Sequence, residues 1–399
     1  MTGLKQQTEA LPIFAGISQT GEQLEPVACL GSAARPDLLV SSVVPSPTSC
    51  FGPRGATIID HTLWICDTGH HRLLGYKTLP QGDLGAADIL IGQPSFDREG
   101  RNARGVTGAA TLNVPTGICG LPPRPGSTSA GLAVADAWNH RILIWHSLPT
   151  HNNQPADLVL GQVEFCGDLA NRGADAPTAQ TMHWPYGVHF AEGKLLVADS
   201  GNRRLLIWWA MPTKNGQAAD LVLGQRDFVT RDENAGSDAS AMSMCWPHGI
   251  AIWNGKLCVS DAGNNRVMIW QDFPSQCGTA CDIVLGQNSL TKFDHNQSSY
   301  KPGAATLNMP YAAAASKDWL LIADTANSRI VAFHESDITI GAAARALFGQ
   351  KDFNGKGDNR WKPACPDSIC WPYNLSVSGD LACLADSGNN RVSIWKLAL

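Results

Sequence analysis

Apolar residues along this chain fall in short segments bounded by Pro, Gly, Asn and Asp, the pattern of β-strands. The clearest case, "LLVADSGNRRLLIWW" at 195–209, reads as one strand, a tight turn and a second strand. Nearly the same phrase returns as "LCVSDAGNNRVMIW" at 257–270 and "LACLADSGNNRVSIW" at 381–395. It returns again as "WICDTGHHRLLGY" from Trp64, "AVADAWNHRILIW" from Ala133 and "LIADTANSRIVAF" from Leu321. The aspartates of the six copies, Asp67, Asp136, Asp199, Asp261, Asp324 and Asp386, are spaced by 69, 63, 62, 63 and 62 residues. Upstream of each lies a Pro-x-Gly-like phrase such as "WPYGVHF" or "WPHGIAI", and downstream a "DLVLGQ"-like segment.

Each period therefore holds four strands: one after the Pro, one ending at the Asp, one from the Arg to an aromatic, and the Leu-Gly-Gln segment. Antiparallel four-stranded units repeated radially are the blades of a β-propeller. The sixth period stops after three strands, which would leave an open edge. "PVACLGSAARP", residues 26–36, resembles "ADLVLGQ", with Gly31 at the repeated Gly and Ser32 in place of Gln. The expectation is an all-β, six-bladed β-propeller whose N-terminal strand completes the last blade and leaves no long edge exposed. Residues 1–399 then form one unit, with blades near 50–96, 112–165, 182–228, 244–290, 308–353, and 370–399 plus 24–33. In the turn, Gly and Asn tolerate the positive φ of a tight hairpin, and the flanking Asp and Arg face each other as a charge-assisted pair. A pair repeated six times argues for structure, because catalysis needs one site.

"ADSGNNRVSIW", "ADAWNHRILIW" with its "NHRI" at Asn139 to Ile142, and the recurrent Pro-x-Gly together resemble NHL repeats. The likeness runs from about Val27 onward. A period near 62 exceeds the usual repeat length, and the extra residues, as in "RDFVTRDENAGSDASAMSMC", are expected to form long loops on one face. The resemblance implies protein-interaction and RNA-binding modules. It also implies, more distantly, the peptidyl-amidoglycolate lyases, in which histidines of separate blades hold zinc in the channel. Some bacterial proteins resembling this long-period form occur beside genes for hydrogenase maturation.

Composition narrows the function. A formal charge of −5 with no Lys/Arg cluster excludes a nucleic-acid partner, which requires a basic surplus. The first twenty residues lack a basic segment followed by an apolar core, and no later run of eighteen apolar residues is available to span a membrane. A cytoplasmic protein is expected, with its 12 cysteines as free thiols or ligands rather than disulfides. Cys66, Cys258 and Cys383 lie in apolar strands, where Cys serves as a small hydrophobe.

Positions alike in all blades are explained by folding, so function is sought where equivalent positions differ. The residues after each Pro are Arg54, Thr116, Tyr186, His248, Tyr311 and Tyr373. Converging on the channel mouth, they would suit a small polar or anionic ligand. Two residues before each Pro stand Phe51, Asn113, His183, Cys245, Asn308 and Cys370. Here His183, Cys245 and Cys370, with Cys50 and Cys365 nearby, are ligand types for a single zinc, copper or iron ion. Only His248 occupies the histidine place of the lyase pattern. Trp184, Trp246 and Trp371 read as blade-packing residues or, if exposed at the rim, as a face for a protein partner. Cys277 and Cys281 read as plain thiols, and His70 with His71 as a solvated turn. The chain carries no P-loop, Gly-x-Gly-x-x-Gly, His-Glu-x-x-His or nucleophile elbow. Two functions follow. The first is a non-catalytic binding or scaffold protein for a protein partner or small ligand, including a role in hydrogenase-type metalloenzyme maturation. The alternative is a metal-dependent lyase or hydrolase in the channel, with His248 or a Tyr as acid or base and Arg54 holding a substrate anion.

Overall fold

The second strand of each repeat, such as Lys194–Asp199 or Lys256–Asp261, is apolar on both faces and buried along nearly its whole length. Such a strand is stable only with a neighbouring sheet on either side, and a ring of blades provides that. A computed structural model describes residues 10–15, 24–36 and 43–399. It is a six-bladed β-propeller. The inner strands are Gly55–Ile59, Pro115–Leu121, Pro185–Ala191, Pro247–Trp253, Pro310–Ser316 and Pro372–Ser378. In blade three the order runs outward through Lys194–Asp199 and Arg204–Trp208 to Leu221–Leu223, all antiparallel. One hydrophobic cluster fills each gap between neighbouring blades, with Trp145, Trp208, Trp270 and Trp395 among the largest buried side chains. No helix among the described residues is long and apolar enough to cross a membrane.

The ring closes as the repeat pattern predicts. Ala28–Leu30 pairs antiparallel with Arg391–Leu397, placing Leu30 opposite Val392 and Ala28 opposite Ile394. The Cys29 carbonyl then accepts a 2.8 Å hydrogen bond from the Leu84 amide of blade one. Gly216 to Val159, Gly278 to Val222 and Gly341 to Val284 make the same bond between consecutive blades. The N-terminal strand thus substitutes both for the missing fourth strand and for its contact to the next blade. Two further pairings were not legible in the sequence: Leu11–Pro12 lies parallel to Ala346–Phe348 of blade five, and Phe14–Ala15 pairs with the end of Arg391–Leu397. Phe14 stacks on Trp395 at 5.5 Å between ring centroids. The opening twenty residues, read above for a leader, lie mostly outside the described residues.

The Asp–Arg pairs form in all six blades, with Arg Nε to Asp Oδ2 distances of 2.6 to 2.9 Å, and are buried. Arg204 shows how the cation is satisfied: Nε donates to Asp199, Nη1 to the Phe228 carbonyl at 2.6 Å, and Nη2 to the Thr178 and Thr181 carbonyls, each at 2.9 Å. The guanidinium therefore staples the long insertion loops to the hairpin. Those loops lie on the face where the inner strands begin and carry an asparagine that pairs reciprocally with the turn asparagine, as Asn171 does with Asn202.

The turn differs from the expected hairpin. The chain makes one 3₁₀ turn, Ser200–Asn202 in blade three, and the left-handed residue is the one just before the Arg. His71, His140, Arg203, Asn265, Ser328 and Asn390 occupy it, with φ between 49° and 55°. Most of these side chains accept the amide of the residue before the next blade's Pro: His71 Nδ1 from Val114 at 3.1 Å, His140 Nδ1 from Trp184 at 2.9 Å, Asn265 Oδ1 from Met309 at 2.8 Å. Asn, Ser and neutral His supply that acceptor in five blades, and Arg203, which has none, is the exception. His70 is not solvated: it is fully buried in the place of the turn asparagine, 2.8 Å from both Asp67 Oδ2 and the Val43 carbonyl.

Candidate site at the channel mouth

Inner strands crowd near the axis. A Cβ on Gly187 would collide with the His248 carbonyl, and one on Gly55 with the Thr116 carbonyl, so the Gly of the Pro-x-Gly phrase reflects close packing rather than an unusual φ. This approach carries the preceding residues into the hub. Tyr186 and His248 lie 4.0 Å apart between centroids, His248 stacks on Tyr311 at 4.3 Å, and Tyr311 meets Tyr373 edge-on at 4.8 Å. The Arg54 guanidinium lies over the Tyr373 ring, 4.6 Å from its centroid. Thr116 stands apart from this set, being buried and donating 2.8 Å to the Tyr186 carbonyl.

These side chains make a septum across the channel. On one side is a narrow cavity of ~270 Å³ lined by all six inner strands, with Thr57, Cys119, His189 and Ser376 among its walls. On the other is a basin of ~460 Å³ whose floor is Tyr186, Tyr311, Tyr373 and Arg54 and whose rim includes Phe51, Val114, Trp138 and Trp184. Burial pushes His248 down to about 4, and its Nδ1 sits 2.7 Å from the Trp246 carbonyl, so the ring is neutral with that nitrogen donating. Burial pushes Tyr311 up to about 12 and Tyr186 well above the ordinary tyrosine range. Arg54 is opposed by burial, yet the surrounding tyrosines hold it above its ordinary value. Its charge has no carboxylate partner among the described residues. The buried Tyr186 hydroxyl lies against Arg54, which can only donate to it, and among the described residues its own proton finds no acceptor.

The second ring does not converge. Phe51, Asn113, His183, Cys245, Asn308 and Cys370 each donate their own amide to Oδ1 of their own blade's aspartate, at 2.6 to 2.7 Å. Each then packs over its own turn. Gly69, Gly201, Gly263 and Gly388 sit beneath Phe51, His183, Cys245 and Cys370, where a Cβ would clash, while Asn113 and Asn308 face Trp138 and Ala326. His183, Cys245 and Cys370 are therefore held on blades three, four and six. Among the described residues no group of three or more His, Cys, Asp or Glu side chains is placed to hold a metal ion. Burial pushes both the Cys245 and Cys370 thiols up to about 12. Cys50 is buried, and Cys365 takes a 3.0 Å bond from Arg360.

Trp184, Trp246 and Trp371 adopt left-handed φ of 55°, 60° and 51° just before Pro. That geometry turns their side chains out to the rim instead of into the blade gaps: Trp184 is 37% and Trp246 41% exposed, and Trp371 is half-buried. Trp138, 54% exposed at the basin's edge, was missed in the sequence reading. Its signal was present, since it stands where four other turns have Gly.

Comparison with known proteins agrees with this architecture. The NHL repeat model matches residues 244–270. No curated protein matches the chain. Among solved structures, the hydrazine synthase of Kuenenia stuttgartiensis is similar at 12% identity and a TM-score of 0.50, over 91% of this chain and 98% of that one. A protein of unknown function from Bacteroides thetaiotaomicron is similar at 11% identity and a TM-score of 0.51, over 94% and 76%. Virginiamycin B lyase from Staphylococcus aureus matches at 11% identity with a TM-score of 0.40, over 88% and 97%. At such identities the likeness concerns the fold alone. The chain is a six-bladed β-propeller that carries an NHL repeat.

Proposed function

We propose that this protein is a non-catalytic binding module that takes a small anionic ligand in the basin at the channel mouth. The observation that carries the reading is Arg54, a cation with no carboxylate partner among the described residues, at the floor of a concave aromatic basin. Burial costs an unpaired charge, and an incoming anion removes that cost. The lyase or hydrolase alternative needs a group poised near neutrality. His248, pushed down to about 4 with Nδ1 committed to a backbone carbonyl, and Tyr311, pushed up to about 12, are poor candidates. Its metal version also lacks a convergent ligand set among the described residues.

The test is thermal stabilisation of the full chain by a panel of small anions, compared in wild type and Arg54→Met. A saturable shift lost in the variant supports the reading; no anion shifting the wild type overturns it. A second reading has its own observation. Trp138, Trp184 and Trp246 are exposed on the loop face, as suits a protein partner, a metalloenzyme-maturation component included. Trp246→Ala would weaken that association and leave anion binding in the basin unchanged.

A further inference from the structure

We infer that the ligand of the basin is a carboxylate monoanion carried on an aromatic body. This rests on the anion-binding reading above and narrows it to one chemical class. Charge comes first. Of the residues lining the basin only Arg54 carries a full charge, because His71 uses Nδ1 as an acceptor for the Val114 amide and is held neutral. One guanidinium balances one negative charge; a phosphate monoester would leave its second charge unpaired in a wall of aromatic carbon.

Geometry points the same way. The Arg54 guanidinium carbon lies over the Tyr373 ring, 4.6 Å from the centroid, and no carboxylate among the described residues takes its N–H groups, so donors remain for a two-pronged bond to a carboxylate. The adjacent Tyr186 is 5% exposed; Arg54, which can only donate, is the side chain at its hydroxyl, so among the described residues the Tyr186 proton, held throughout the physiological range, has no acceptor. A carboxylate seated on Arg54 gives that orphan donor an acceptor.

The walls account for the body of the ligand. Phe51, Trp138 and Trp184 remain 42%, 54% and 37% exposed around the opening. The basin's ~460 Å³ is enough for an aryl acid and too small for a folded partner. The same chemistry belongs to a free aryl acid and to the C-terminus of a peptide ending in an aromatic residue.

Calorimetry on the full chain, with intrinsic tryptophan fluorescence alongside, tests the inference with N-acetylphenylalanine, its neutral amide, acetate, inorganic phosphate, and a tetrapeptide ending in a free phenylalanine carboxylate. The acid is expected to bind saturably and quench rim fluorescence. The amide and acetate should each bind at least about tenfold more weakly. Acid and tetrapeptide binding alike assigns peptide C-termini; acid alone assigns a free small molecule. Arg54→Met should abolish acid binding. Trp138→Gly, which restores the residue that four other turns use, keeps the fold testable and should weaken acid binding about tenfold. Equal affinity for acid and amide, unchanged binding in Trp138→Gly, or phosphate binding more tightly than the acid would each overturn the carboxylate-and-ring assignment. The last result would leave the anion-binding reading standing. No saturable binding by any of the probes would end both.

Discussion

Arg204 shows what a single residue does in this fold. Its donors join one carboxylate and three loop carbonyls, so it acts as a cross-link and its charge is fully paired. Arg204→Met removes the donors and strands buried Asp199. Chemical denaturation should show a loss of about 3–5 kcal/mol, the usual effect of breaking one half of a buried pair. His140 carries the opposite constraint, since its Nδ1 must accept the Trp184 amide. Burial first, then the neighbouring His183, lowers its pKa from 6.5 to about 4. The unfolded chain therefore takes up the proton first on acidification. The stability contributed by neutral His140 is present above pH 6.5 and is lost as pH falls toward about 4. Thermal melts across that window should show a flatter pH dependence in His140→Asn, because Asn265 and Asn390 already do this task elsewhere. His70 titrates in the other sense. Burial opposes its charge, yet the Asp67 hydrogen bond and charge raise its pKa, so its contribution is present below 6.5 and is lost as pH rises through the raised value. His70→Asn should remove that loss on the alkaline side, read as the melting temperature near neutrality against that at about pH 8.5.

At the scale of elements, the repeat made the strands legible, because each blade writes its own pairing into one period. Asp opposite Arg sets the register of the second and third strands in all blades. Closure was legible for the same reason: residues 26–36 carry the fourth-strand phrase and form the fourth strand. Leu30→Asp places a charge on a fully buried position of that strand. It should lower stability by more than about 3 kcal/mol, measured by denaturant titration, and make the exposed edge of Arg391–Leu397 prone to association, measured by light scattering. The inner strands make a comparable demand. Gly187→Ala forces the backbone of blades three and four apart at the His248 carbonyl and should cost at least about 2 kcal/mol. The turn was less legible. Asn was expected to hold the positive φ and does so at Asn265 and Asn390, whereas the turn Gly does not; the left-handed residue is the one just before the Arg, and in five blades its side chain is an acceptor.

The whole molecule decides which side chains meet. Residues after Pro approach the axis on every blade, so Arg54, Tyr186, His248, Tyr311 and Tyr373 become neighbours across more than 300 residues of sequence. Residues two before Pro sit over the turns of their own blades, and His183, Cys245 and Cys370 form no metal-ligand group among the described residues although their chemistry suits a metal. Protein purified without an affinity tag should accordingly hold no stoichiometric zinc, copper or iron by elemental analysis, and chelator should leave its melting temperature unchanged. By itself the sequence determined the blade count, the strand order, the Asp–Arg pairs and the closing strand, because these depend on local pairing that each period repeats. Only the tertiary structure decided that the pre-proline tryptophans face outward, that one ring converges while the other does not, and that Trp138 overlooks an arginine with no carboxylate partner among the described residues. Those outcomes depend on distance from the propeller axis and on the backbone φ at one residue per blade, neither of which a repeated phrase encodes.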